Sequence, residues 1–215
     1  MSSKLGLKLT RYYSINFDAL SRNKKQIKFI IIHYTGMRKQ SEAIKRLCNS
    51  KSKVSSHYFI KDNGEVLNLV PDLYIAWHAG ESTWKKFKSL NKYSIGIEIN
   101  NPGHANKYKK FNSKQIKSLI KLLRILIKKY KIKKQNILGH SDISPNRKKD
   151  PGEKFPWKIL ANQNLCHWYK LKESKIIKFR NQKISSLEQK KFINNLTLIG
   201  YSKRLKKKRK YTILR

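Results

Sequence analysis

The chain has 215 residues, of which 39% are hydrophobic and 11% aromatic, with 51 Lys plus Arg against 12 Asp plus Glu and a net charge of +39. That composition supports a packed core and excludes disorder throughout, and the length fits one domain of ordinary size plus an appendage. The charge has two readings and carries no function alone: it attracts polyanions such as nucleic acid, anionic membrane or an acidic polymer, or it reflects AT-rich codon usage, since Lys outnumbers Arg 41 to 10 and Ile and Asn are plentiful.

Residues 1–26 are polar with scattered aromatics and are expected along the surface. "KFIIIHYT", 28–35, is a short β-branched run that predicts a buried strand. "SEAIKRLCNS" carries Ala43, Ile44 and Leu47 at helical spacing. "SHYFIKDNGEVLNLV" predicts a hairpin around Asn63-Gly64, a dipeptide suited to a tight turn with positive φ. "IAWHAGES" predicts a loop, and "SIGIEINN", 94–101, alternates Ile95, Ile97 and Ile99 against Gly96 and Glu98 as a strand does.

The clearest helix is "NSKQIKSLIKLLRILIKKYKI", with a stripe of Ile116, Leu119, Ile120, Leu123, Leu126, Ile127 and Tyr130 and a cap at Asn112 or Ser113. "QNILGHSDI" returns as a strand, and "FPWKILANQ" starts a helix near Pro156. This order predicts an α/β or α+β fold, a central mixed sheet flanked by helices with a short helical C-terminal appendage. Three segments follow: 1–26 as the surface segment, 27–178 as the main domain, and 179–215 as a basic helical tail ending in "KRLKKKRK".

Cys48 and Cys166 form neither a disulfide framework nor a CxxC pair, and Cys48 is expected in the core. No apolar run approaches the length of a membrane span, and the N-terminus shows no apolar signal core or lipobox-like cysteine. The expectation is a cytoplasmic monomer, with a periplasmic location as the alternative.

Chemistry concentrates in "GHSDISPNRKKDPG", 139–152. His33 closes the first predicted strand, His140 closes the last, and Asp150 follows in a loop stiffened by Pro145 and Pro151. Two imidazoles and a carboxylate leave one corner of tetrahedral Zn²⁺ open, the pattern of a catalytic site, although a single His at a strand end is more often structural. Glu98 has two readings: a solvated residue on an edge strand, or a general base on a central strand where an idle carboxylate is costly. Lys148, two residues before Asp150, is placed to face the same way and to stabilise an oxyanion, though any one of 41 lysines is a weak signal.

"FIIIHYTG", "VSSHYFI", "DNGEV", "AWHAG", "SIGIEI" and "GHSDISPNRKKDPG" occur in the order found in the zinc-dependent N-acetylmuramoyl-L-alanine amidases of the AmpD/AmiD type. The chain resembles that family over roughly residues 27–165. The resemblance implies a peptidoglycan-recognition-protein-like fold, Zn²⁺ held by His33, His140 and Asp150, Glu98 as base and Lys148 as oxyanion stabiliser. It implies cleavage of the amide between the lactyl group of N-acetylmuramic acid and L-alanine in peptidoglycan or muropeptides, whose carboxylates suit a basic groove. His78 and His57 match family positions near the groove and are expected to contact substrate, against a packing role. Trp77 and Arg147 are further candidates for substrate contact, against core packing and simple solvation. His104 and His167 match nothing in the family pattern.

Lys149 stands where a small polar residue is common and is expected to face away from its neighbours. "LEQKKFINNLTLIGYSKR" faintly resembles the start of a peptidoglycan-binding module, which is expected to be truncated or degenerate. Two rivals remain. A non-catalytic peptidoglycan receptor on the same fold would lack a ligand or the base, and all five positions are filled. A nucleic-acid binder would show basic residues interleaved with exposed aromatics, and no such signature is present, so no specific nucleic-acid partner is expected.

Overall fold

In the computed structural model, which describes residues 7, 9–169 and 171–202, the chain runs β1 (Leu9–Arg11), β2 (Phe17–Asp18), β3 (Phe29–Tyr34), α1 (Gln40–Cys48), β4 (Tyr58–Ile60), β5 (Val66–Asn68), β6 (Ile75–Ala76), β7 (Thr83–Trp84), β8 (Phe87–Lys88), β9 (Ser94–Ile99), α2 (Ser113–Tyr130), β10 (Ile137–Gly139), α3 (His140–Ile143), α4 (Trp157–Asn162), α5 (Glu173–Asn181) and α6 (Ser186–Ile199). Six strands form one sheet in the order β1-β5-β4-β9-β3-β10. Only β4 and β5 pair antiparallel; the other four pairings are parallel, so the sheet is mixed as the sequence predicts. Gly64, at φ +85°, makes the β4–β5 turn that the Asn-Gly pair suggests.

The period-2 pattern assigns the two faces. Ile30 and Ile32 of β3 and Ile95, Ile97 and Ile99 of β9 pack with Ile116, Leu119, Leu123 and Leu126 of α2 in one cluster. Asn112 caps α2 with its side chain accepting from Gln115 N–H. Leu122 joins the buried stripe, whereas Ile120 and Ile127 are only partly covered, as expected when a 3.6-residue period drifts across a flat sheet.

The opposite face carries Phe29, Ile31 and His33 of β3, Gly96 and Glu98 of β9, and Phe59 of β4. The parallel register sets His33 beside Glu98 and Glu98 beside Phe59. Two covers share this face. One is α1, packed through Ala43 and Leu47 on Phe59, Leu67 and Leu69. The other includes Trp84, Leu90, Ile143, Leu196 and Tyr201 around Phe29, Ile31 and Leu138. Cys48 lies at the edge of the first cover, half-buried instead of in the core.

Three expectations need correction. The N-terminal segment is part of the sheet, because β1 pairs with β5 and buries Leu7, Ser14, Asn16 and Arg22 against the body. His140 does not end a strand. It opens α3, since the Asp142 carboxylate accepts Gly139 N–H at 2.6 Å and turns the chain there. The boundary at 178 falls inside α5, a helix the sequence reading did not mark. The run 203–210, expected to be a solvated tail, lies outside the described residues.

Leu123 is 0% exposed at the centre of the α2 cluster. Leu123→Ala is expected to cost ~2–5 kcal/mol, read from urea unfolding of parent and variant.

Candidate metal centre and cleft

His33, His140 and Asp150 meet over the open face of β3. His33 Nδ1 lies 2.9 Å from His140 Nδ1 and 3.0 Å from Asp150 Oδ2, and His140 Nδ1 lies 3.1 Å from the same oxygen. Neighbouring acceptors decide where the ring protons sit. The Ser94 hydroxyl donates to Leu90 O at 2.6 Å, so toward His78 Nε2 at 3.2 Å its oxygen accepts. His78 Nε2 therefore carries the proton, and its bare Nδ1 accepts from His33 Nε2–H at 3.0 Å. That leaves His33 Nδ1 as a lone pair. In the tautomer whose Nε2–H donates to Ala79 O at 3.0 Å, His140 likewise presents a bare Nδ1.

Two imidazole lone pairs and a carboxylate oxygen thus converge on one point, an arrangement that repels itself until a cation occupies it. The edges lie within a few tenths of an ångström of the ~3.3 Å expected for a tetrahedron with ~2.0 Å bonds. The donor set fits a borderline cation such as Zn²⁺, with each histidine oriented by its second nitrogen.

Burial, then the neighbouring His140, lower the His33 pKa to about 4. Burial, then His33, push His78 well below its usual value. Burial pushes the Asp150 carboxyl upward, but the electrostatic influence of the two imidazoles beside it, His140 before His33, outweighs it and holds Asp150 well below the usual range.

Glu98 stands between two partner strands, so the edge-strand reading fails. Its Oε2 is shielded and without a hydrogen-bond partner. Burial, reinforced by Asp150 and opposed by Lys148, raises its pKa to about 8. Gly96, its neighbour on the same face, makes room for the His78 ring: a Cβ there would lie 2.4 Å from His78 Cγ.

A cleft of about 660 Å³ opens onto these groups, with Lys148, Trp77 and Arg147 among its lining residues. Lys148 lines the cleft beside Asp150. Lys149, expected to face away, also lines it. Trp77 is held by Nε1–H donating to Asp18 Oδ1 at 2.7 Å, so the N-terminal segment braces the cleft wall. Arg147 donates to Ala79 O at 2.8 Å and Glu81 O at 2.9 Å, tying the metal loop to the carbonyl that orients His140.

The structure does not bring His57 into the cleft. It is 0% exposed, accepts from Gly96 N–H through Nδ1 at 3.0 Å, and packs behind His78 with ring centroids 5.6 Å apart. Burial, then Arg22, lower its pKa to about 3. His78 supports His33 from behind while lining the cleft floor. Ser94 and the wall built on His104 are not among the residues expected at the site from sequence. Tyr34 OH donates to His104 Nδ1 at 2.8 Å, His104 Nε2–H donates to Glu153 at 2.9 Å, and the ring stacks on Tyr108. Gly96 is a further sequence signal for the placement of His78, as a glycine inside a strand marks a close approach.

A centre of this kind, open to a cleft and flanked by an unpaired carboxylate, is the kind that metal-assisted hydrolases use. Comparison with known proteins narrows the class. Residues 23–153, more than half of the chain, match the family described as N-acetylmuramoyl-L-alanine amidase (Amidase_2), and the chain belongs to that family. It is 39% identical over 155 residues to the amidase AmiD of Escherichia coli, covering 66% of this chain and 55% of AmiD. It is 40% identical over 106 residues to the 1,6-anhydro-N-acetylmuramyl-L-alanine amidase AmpD of Haemophilus influenzae, covering 49% of this chain and 55% of that one. The chain therefore spans about half the length of these curated relatives. The structure of E. coli AmiD in complex with anhydro-N-acetylmuramic acid-L-Ala-D-gamma-Glu-L-Lys superposes with a TM-score of 0.71 at 32% identity, over 89% of this chain and 76% of that one. Among the described residues no helix is long and apolar enough to cross a membrane.

In the metal-free protein Glu98 has a folded pKa raised from 4.5 to about 8, so burying it is harmless below pH 4.5 and costs stability as pH rises toward 8. Glu98→Gln removes that cost. Thermal melts in chelator are expected to coincide near pH 4.5 and to separate by pH 8, with the variant about 2–4 °C higher, the shift that ~1 kcal/mol produces in a chain of this size.

Proposed function

We propose that the protein is a zinc-dependent N-acetylmuramoyl-L-alanine amidase that hydrolyses the amide between the lactyl group of N-acetylmuramic acid and L-alanine in peptidoglycan fragments. The observation that carries this reading is the convergence of His33 Nδ1, His140 Nδ1 and Asp150 Oδ2 beside an unpartnered Glu98 Oε2 in one cleft. Family membership and the muropeptide bound in the AmiD relative supply the substrate class.

His33, His140 and Asp150 would hold Zn²⁺, which when bound supplies Lewis acidity and an acidified water. Glu98 Oε2 takes a proton from the attacking water and later returns it to the alanine nitrogen as the C–N bond breaks. The Lys148 ammonium stabilises the negative charge that develops on the lactyl carbonyl oxygen. Arg147, Lys148, Lys149 and Arg46 give the cleft a positive lining that suits the stem-peptide carboxylates. Trp77 offers a ring to sugar or peptide.

Incubation with muropeptides, followed by mass spectrometry, is expected to yield free stem peptide and a muramic-acid product. Chelation is expected to abolish this and added Zn²⁺ to restore it. Intact substrate with the zinc-loaded protein overturns the reading. Glu98→Ala is expected to lower kcat at least ~100-fold with little change in zinc affinity, and an unchanged kcat removes Glu98 from the mechanism.

A further inference from the structure

The second hydrophobic cover, on the sheet face that bears the metal centre, is completed by the C-terminal segment. Leu196 of α6 and Tyr201 just beyond it are buried with Phe29, Ile31, Ala79, Trp84, Leu138 and Ile143. Tyr201 lies edge-on to Trp84, with ring centroids 4.9 Å apart, and its hydroxyl donates to Asp142 Oδ1 at 2.6 Å. The other oxygen of that carboxylate accepts Gly139 N–H at 2.6 Å. Gly139 immediately precedes His140, and Asp142 is two residues beyond it, so both oxygens of one buried carboxylate fix the turn that aims His140 Nδ1. The approach is close. Gly200 sits at φ +145°, its carbonyl accepts Lys85 N–H at 2.7 Å, and a Cβ on it would lie 2.6 Å from the Trp84 ring.

We infer that residues 186–202 act as a strut for the metal centre, with Tyr201 a positioning residue that holds His140 in ligating geometry through Asp142. This assigns the segment a role inside the catalytic fold. Its resemblance to the start of a peptidoglycan-binding module then reflects the helix and its "LIGY" turn more than a separate binding function. The proposal rests on the amidase reading only in taking His140 as a metal ligand.

The test uses the 215-residue chain and metal binding. Tyr201→Phe keeps the ring and removes the donor, and Gly200→Ala lifts the ring off Trp84. Both are expected to weaken Zn²⁺ binding about tenfold in competition with a chromophoric chelator. Both are also expected to shift the visible absorption of the Co²⁺-loaded protein at 25 °C. Leu198→Ala, on a part of α6 that is 82% exposed, is expected to leave both readouts unchanged. A purely structural role would lower Tm without moving the Co²⁺ spectrum. Parental zinc affinity and an unaltered Co²⁺ spectrum in Tyr201→Phe overturn the strut, whatever happens to Tm. Failure of the amidase reading shows separately, as absence of product from the zinc-loaded parent.

Discussion

The parallel pairing of β3 with β9 is the constraint on which the site depends. It sets His33 directly beside Glu98, with both side chains on the face away from α2. The same register places Ile30, Ile32, Ile95, Ile97 and Ile99 on the other face, where they form the core with α2. A slip of one residue would send the isoleucines into the cleft and His33 and Glu98 into the core. Burial of five isoleucines therefore enforces the juxtaposition of an imidazole and a carboxylate on the cleft face.

The electrostatics follow from that burial. Four imidazoles stand in file, His57, His78, His33 and His140, with successive ring centroids 4.5–5.6 Å apart. Such a row is tolerable only if the rings are neutral, and desolvation lowers the pKa values of His57, His78 and His33. Neutrality makes hydrogen bonding directional. The Leu90 carbonyl fixes the Ser94 proton, which fixes His78, which fixes His33. The protons point away from the centre, and lone pairs and the Asp150 oxygen remain pointing into it.

The pieces that look peripheral in sequence hold this centre from two sides. The N-terminal segment adds β1 to the sheet and steadies Trp77 through Asp18. The C-terminal helix fills the opposite cover and reaches Asp142 through Tyr201. The first contact braces the cleft wall and the second the turn that precedes His140. Among the described residues the large positive charge, by contrast, has no single structural partner. Part of it lines the cleft, and much of the rest is spread over exposed lysines.

Much of this was legible in the sequence. Alternation in "SIGIEI", the stripe of α2 and the Asn-Gly turn specify elements through local periodicity and backbone preference, so they appear where the pattern puts them. His33, Glu98, His140, Lys148 and Asp150 were identifiable because ordered motifs preserve the chemistry of a site even when its parts are far apart in the chain. Tertiary structure decided the rest. His57 and His78 both stand in motifs expected near the groove, yet one is sealed beneath Gly96 and the other backs His33. Residues 1–26 read as surface because a three-residue edge strand has too little periodicity to announce itself. Tyr201 carries no signal at all, since the value of its hydroxyl depends on a carboxylate 59 positions away. Local pattern encodes which face a side chain takes, whereas the identity of its partner across the fold is settled only when the sheet and its covers close.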